Sequence, residues 1–270
     1  MLPLTLLRYP GGKSKAIKIL EKYLPNDIDL IISPFFGGGS FEIFCAIKKG
    51  ITVKGFDLFE PLVNFWNCVL TDNLKLQVEI KLIHPINKEQ FLEKRKSITN
   101  SNLDSYKRAA LFFAINKSSF SGTTLSGGFS KQAAENRFNS SSINKVGMFK
   151  CENLIVELQD FKNLFKDLDT MKTKNTLIYL DPPYLIESKL YGNKGDLHLN
   201  FDHKLLAELL LNINKDTCWM LCYNDNDYIR ELYKDCKITS EKWNYSMSSS
   251  KKESSEVIII SKKLELELKK

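Results

Sequence analysis

The chain is poor in the residues that build metal centres and disulfide frameworks. It has three histidines and six cysteines in 270 residues, with no Cys-x-x-Cys pair and no His-Glu-x-x-His. Spacing therefore indicates neither a zinc site nor a stapled secreted fold. Most of Cys45, Cys68, Cys151, Cys218, Cys222 and Cys236 read as buried thiols. His198 and His203 flank an Asn-Phe-Asp step without a neighbouring cysteine or acid pair, and read as solvated or capping groups. No apolar run approaches the ~20 residues of a membrane span. Residues 1–8 lack both a basic start and a small-residue cleavage site, so the expected location is intracellular, away from membranes. No internal repeat is present. With 43% hydrophobic and 26% charged residues, the composition is that of a globular chain able to bury a core.

Against that background one stretch stands out, Thr176-Leu-Ile-Tyr-Leu-Asp-Pro-Pro-Tyr184. The apolar run Leu177–Leu180 predicts a strand buried on both faces, stopped by Asp181 and two prolines. Pro182 and Pro183 each fix φ, lack an N–H and push the preceding residue towards an extended conformation. A carboxylate, a bare carbonyl and an aromatic face are thus held at the carboxyl end of a strand, where open α/β sheets bind ligands. Such a trio suits a planar amine conjugated with a ring: Asp181 and the Pro182 carbonyl accept its N–H groups while Tyr184 stacks on the ring. A plain turn with a capping aspartate is the competing reading of the tetrapeptide taken alone.

Two further stretches lie before it. Arg8-Tyr-Pro-Gly-Gly-Lys13 leads into a helical pattern over 16–24, so that Gly11, Gly12 and Lys13 sit where backbone amides and an ammonium favour an anion such as a carboxylate. An ordinary loop would have the same composition. Strand Asp29–Ser33 is followed by Pro34-Phe-Phe-Gly-Gly-Gly-Ser40, and glycines between a strand and a helix let a ligand approach the backbone closely. Strand 51–56 then ends in Asp57, eighteen residues after Gly39, well placed to accept from a ribose diol. This reads as a nucleoside-binding βαβ unit. Counting from Gly37, the third glycine of a dinucleotide fingerprint is replaced by Glu42, which makes an oxidoreductase the weaker reading.

Residues 59–110 read as largely helical, and 116–145 as a polar, glycine-rich folded loop with spaced phenylalanines. Within 67–164 there are 14 Lys and Arg against 9 Asp and Glu, most of the net charge of +7. A basic middle segment fits a polyanion-binding insertion; a lysine-rich coding bias would produce the same surplus. Residues 185–196 look like a mobile loop, 203–211 and 227–233 like helices, and 217–222 like a buried strand. Residues 243–247 and 256–261 look like the arms of a closing hairpin. Strand-helix alternation at both ends with a divergent middle predicts one interrupted α/β domain.

With Tyr9-Pro-Gly-Gly-Lys13, Pro34-Phe-Phe-Gly-Gly-Gly39, Asp57 and Asp181-Pro-Pro-Tyr184, the chain resembles the Dam-type (D12 class, group alpha) DNA adenine-N6 methyltransferases. The likeness covers most of the chain, and in the middle it rests on residues 111–122, Arg137-Phe-Asn139 and Asn224-Asp225. It implies an α/β fold with a Rossmann-like, mostly parallel sheet and a terminal antiparallel hairpin. Residues 1–66 and 165–270 would form the S-adenosyl-L-methionine-binding catalytic domain, and 67–164 a mainly helical inserted target-recognition region. Tyr9, Gly11, Gly12 and Lys13 would hold the methionine part of the cofactor. Pro34, Phe35, Gly37, Gly39 and Ser40 would line it, Asp57 would take the ribose, and Asp181 to Tyr184 the flipped adenine, with Asp181 also bordering the cofactor. Lys117, Ser119, Phe120, Arg137 and Asn139 would contact double-stranded DNA.

The resemblance further implies a cytoplasmic enzyme with access to DNA, with a restriction endonuclease as one candidate partner. Tyr9 stands where many relatives carry tryptophan, and Ser33 where an acid is common. RNA adenine or DNA N4-cytosine methylation would use nearly the same trio, although Asp181 favours adenine. A nucleic-acid-binding module without turnover is the non-enzymatic alternative.

Overall fold

The computed structural model describes residues 5–185, 201–243 and 254–270. Its centre is a seven-stranded sheet of β1 (Leu30–Ser33), β2 (Thr52–Asp57), β3 (Leu154–Leu158), β4 (Thr176–Leu180), β5 (Cys218–Asn224), β6 (Lys237–Trp243) and β7 (Ser254–Ile260). The spatial order is β3-β2-β1-β4-β5-β7-β6, and β7 alone runs against the rest. The sheet is therefore mostly parallel with one antiparallel hairpin, as expected. Chain order reverses between β1 and β4, which pair directly with Ile32 opposite Ile178. Such a switch point opens a crevice at the carboxyl ends of the strands.

The strands are apolar because helices cover both faces. Every residue of β1 and of β4 is buried. In β4, Leu177 and Tyr179 point into one core while Ile178 and Leu180 point into the other, the two-residue alternation of a pleated strand. The helices are α1 (Ile17–Leu20), α2 (Ser40–Phe44), α3 (Glu60–Ile83), α4 (Lys88–Lys96), α5 (Ser105–Ser118), α6 (Lys131–Asn136), α7 (Ser140–Gly147), α8 (Phe161–Met171), α9 (His203–Leu211), α10 (Asp227–Leu232) and α11 (Lys262–Glu267). Helix α3 bends at Asp72, whose φ of −152° is not helical. Its Phe65 ring lies 5.8 Å from Phe113 of α5 and nearly parallel to it. Residues of α3, α5 and α7 share one continuous core with the sheet, so the helical middle is packed onto the strands.

Several expectations shift in detail. The helical pattern over 16–24 is one α-turn followed by a 3-10 turn at 21–23. The stretch 116–145 holds two short helices, α6 and most of α7, started by Ser130 and Asn139, whose side chains accept from Ala133 N and Ser142 N. Residues 154–158 of the segment expected to be inserted form β3, paired with β2 at the sheet edge. The first hairpin arm occupies 237–243, earlier than expected, because its partner β7 needs seven residues opposite 254–260. The expected loop beyond Leu185, His198 and the hairpin turn lie outside the described residues.

Candidate active site and cofactor cleft

The loops after β1, β2 and β4, with the segment before α1, surround one cleft. Its lining includes Tyr9, Gly12, Lys13, Pro34, Phe35, Gly37, Gly39, Ser40, Asp57, Asp181 and Pro183. Eleven of the sequence-predicted residues, drawn from four separate stretches, thus face one space. Gly11, Pro182 and Tyr184 are chain neighbours of these residues and are not part of the lining.

Glycine is required in this wall for two different reasons. Gly37 and Gly39 adopt φ of 51° and 61°, the left-handed region that side chains disfavour. A Cβ on Gly39 or on Gly55 would also come within 2.4 and 2.3 Å of the Phe36 ring. Phe36 therefore fills the space both leave, edge-on to Trp66 at 5.6 Å, and Trp66 Nε1 donates to the Gly37 carbonyl. The Tyr9 ring lies against Gly37, 3.1 Å from where its Cβ would be.

Asp57 closes the glycine turn from below. Its Oδ2 accepts from Gly37 N and its Oδ1 from Phe59 N, each at 2.9 Å. Burial raises the Asp57 carboxyl, and the backbone donors at Phe59, Gly37 and Leu58 pull it back. A carboxylate oxygen has a second lone pair, so both can still accept from a diol. Beyond Asp57 the cleft meets Leu58, Gln159, Asp160 and Phe161. Phe35, Phe161 and Phe201 form an apolar wall with ring centroids 5.3 to 5.5 Å apart.

At the other end Lys13 Nζ donates to both oxygens of Asp181, at 2.6 and 2.7 Å, and to the Gly11 carbonyl at 2.9 Å. Burial opposes the Lys13 charge, but Asp181 and Glu256 more than offset it and hold the ammonium above its usual range. Burial raises the Asp181 carboxyl, against the pull of Lys13. Asp181 remains 20% exposed, open to the cleft. The Tyr184 ring sits 5.0 Å from Lys13 Nζ, and its hydroxyl donates to buried Glu256 at 2.6 Å.

The residues expected to meet DNA lie on the helical middle and divide in two. Ser119 and Asn139 are occupied in shaping the backbone: Ser119 Oγ donates to Asn116 O and accepts from Thr124 N, and Asn139 caps α7. Phe120 faces outward, whereas Lys117 and Arg137 are half-buried. The Phe120 ring is 67% exposed. Arg137 Nη2 donates to Ser119 O at 3.4 Å. Burial, together with the charges of Lys145, Arg137 and Arg8, lowers Lys117 to about 8.

Sequence reasoning missed Glu42, the Phe161 and Phe201 wall, Asp160 and Glu256. Neither acid carried a distinct signal, since Glu42 reads as a first-turn acid of a helix and Glu256 stands between a Ser/Lys-rich stretch and an apolar run; the wall joins segments far apart in sequence and carried none. Among the described residues no cluster of His, Cys, Asp and Glu could hold a metal ion, and no helix is long and apolar enough to cross a membrane.

The D12 class N6 adenine-specific DNA methyltransferase profile matches residues 9–247. The chain is 23% identical to a DNA adenine methylase of Haemophilus influenzae, over 90% of this chain and 87% of that protein. It is 21% identical to the type II methyltransferase M.CviBI of Paramecium bursaria Chlorella virus NC1A, over 84% and 85%. It is 28% identical to the modification methylase StsI of Streptococcus sanguinis, over 70% of this chain but 30% of that one. A match spanning nearly the whole sheet and its cleft places the chain in the D12 class of N6 adenine-specific DNA methyltransferases.

Proposed function

We propose that this DNA adenine methyltransferase takes its methyl group from S-adenosyl-L-methionine and acts on an adenine turned out of the duplex. The observation that carries the reading is the junction at the β1–β4 switch point. The glycine turn with Asp57 forms one end of the cleft and Asp181-Pro-Pro-Tyr184 the other. A Tyr9 ring against Gly37, an acid for a diol and an apolar aromatic wall fit the cofactor's methionine, ribose and adenine parts. Gly11, Gly12 and Lys13 border the methionine end, and Asp160 lies beside the wall, within reach of a base amine. When bound, the cofactor supplies an electrophilic methyl on a sulfonium.

The chain's own residues position and polarise the acceptor. Adenine N6 is weakly nucleophilic because its lone pair is delocalised into the ring. One N6–H directed at Asp181 and the other at the Pro182 carbonyl would turn that lone pair outward, with Tyr184 stacked on the base. Asp181 then offsets the positive charge that develops on nitrogen, an interaction stronger in the transition state than in the ground state. Lys13 holds both Asp181 oxygens, and a second lone pair on either is left to accept the N6–H. Unstacking costs a few kcal/mol and base–aromatic stacking returns roughly 1–3.

The helical part of 67–164, ahead of β3, is the proposed target-recognition region, with Lys117, Phe120 and Arg137 against the duplex. Ser119 and Asn139 would act there through the backbone they shape. The family assignment favours DNA adenine over the RNA and N4-cytosine readings, and turnover over a silent binding module. The name type II methyltransferase, borne by the viral relative, is the support for a companion restriction endonuclease. The test is methyl transfer from labelled S-adenosyl-L-methionine to duplex DNA, single-stranded DNA and RNA, followed by nucleoside identification. N6-methyl-2′-deoxyadenosine from duplex DNA is expected; label on cytosine, or on RNA alone, would overturn the reading.

A further inference from the structure

Glu42 is a buried acid that the roles above leave unused. It sits in the first turn of α2, is 3% exposed, and lines the cleft together with Ser40 and Asp181. Ser33, fully buried at the end of β1, donates to its Oε1 at 2.8 Å. The charged groups facing it are Asp181 and Lys13, with the Tyr179 hydroxyl and the Cys45 thiol adjoining. Lys13 is committed to the two oxygens of Asp181 and to Gly11 O. Among the described residues, Glu42 therefore presents an acid to the cleft without a cation of its own.

The two ends of the cleft differ in chemistry. Asp57, the aromatic wall and Asp160 suit a nucleoside, whereas Tyr9, Lys13, Ser40 and Glu42 suit an amino-acid group carrying both charges. An α-ammonium at that end needs a carboxylate, and burying it without one would be costly. We propose that Glu42 receives the α-ammonium of the cofactor, with Ser33 holding its carboxyl in place. The proposal rests on S-adenosyl-L-methionine being the ligand of the cleft.

One consequence distinguishes Glu42 from a merely structural acid. Burial raises its carboxyl to about 8, and the nearby Asp181 charge adds to the effect. At neutral pH it is therefore mostly protonated in the free protein. An arriving ammonium favours the ionised form, so the proton leaves to solvent as the cation docks. A cation enters, a proton departs, and no net charge is added to the buried end.

The test is calorimetric titration of the full chain with S-adenosyl-L-methionine at pH 7, in two buffers of different ionisation enthalpy. Release of close to one proton per ligand is expected from the parent protein and almost none from Glu42→Gln, whose amide still accepts from Ser33. The variant should bind about 10- to 100-fold more weakly, as for loss of a hydrogen bond to a charged group. 5′-Methylthioadenosine, which has the nucleoside but no amino-acid group, should bind both proteins equally and release no proton. Equal affinity of parent and variant for S-adenosyl-L-methionine, or binding to the parent without proton release, would overturn the role of Glu42 and leave the cofactor reading intact. Failure of both ligands to bind the parent would overturn the cofactor reading, and this inference with it. If Glu42→Gln does not fold, the parent alone decides, through its proton release with the two ligands.

Discussion

The Tyr184 hydroxyl is anchored to Oε2 of Glu256, a carboxylate 1% exposed on β7, one strand in from the sheet edge. That oxygen also lies 3.9 Å from Lys13 Nζ. One acid thus restrains both the Tyr184 ring and the cation that grips Asp181. Glu256→Gln keeps an acceptor for the hydroxyl and loses the charge; Glu256→Ala loses both. The alanine variant is expected to lose about 3 kcal/mol of stability, with the glutamine variant between it and the parent, measured by denaturant unfolding.

Asp181→Asn is expected to lower kcat by about 10²–10⁴-fold, the reach of a positioned acid–base group, with DNA binding retained. It also leaves the Lys13 ammonium buried with Glu256 alone, so the melting point should fall as well. Lys13→Met together with Glu256→Gln in the same chain removes both remaining buried charges and should recover part of the melting point, not the rate. Single-turnover methylation beside a thermal melt tests both; a rate restored along with stability would mean that Asp181 merely caps a turn.

Asp57→Ala should weaken S-adenosyl-L-methionine binding by about 1.5–3 kcal/mol, the usual size of a charge-assisted hydrogen bond. Because Asp57 also holds Gly37 N and Phe59 N, amide exchange should quicken across residues 37–39 in the mutant. Duplex affinity at fixed salt should stay nearly constant. Equal calorimetric cofactor affinity in mutant and parent would contradict the assignment.

Arg137→Ala should weaken binding to every duplex and reduce the dependence of log affinity on log salt by about one unit. Lys117 adds a pH signature. It is held near 8, so it is protonated below that pH and neutral above it. If it meets phosphate, duplex affinity must fall as pH rises through 8, with proton uptake on binding. Lys117→Met should flatten that profile, which fluorescence anisotropy between pH 7 and 9 would read.

Those parts of the architecture written as unbroken local signals could be read from the sequence. The apolar run of β4, the prolines that end it and the glycines before α2 each dictate their own backbone, and Asp57 follows from its interval. What escaped depends on partners far away in the chain. β6 is Lys-Ile-Thr-Ser-Glu-Lys-Trp, too polar to announce a strand, and it exists because β7 offers it a ladder. β3 is half-exposed at the sheet edge. Glu42, in a first helical turn, has the sequence of a solvated residue favouring the helix dipole. Only the fold shows that this turn faces the cleft, and only the fold brings Phe35, Phe161 and Phe201 together.

The position of β7 also sets an order in time. The strand slots between β5 and β6, both of which are synthesised before it, and it carries the acid behind Tyr184. A chain still on the ribosome, with residues up to 243 emerged, already has its glycine turn, Asp57 and Asp181-Pro-Pro-Tyr184. It has no Glu256 to anchor that tyrosine, and a gap in the sheet where β7 belongs. Competence to mark DNA therefore arrives late and all at once, so nascent or truncated chains are poor writers of methylation.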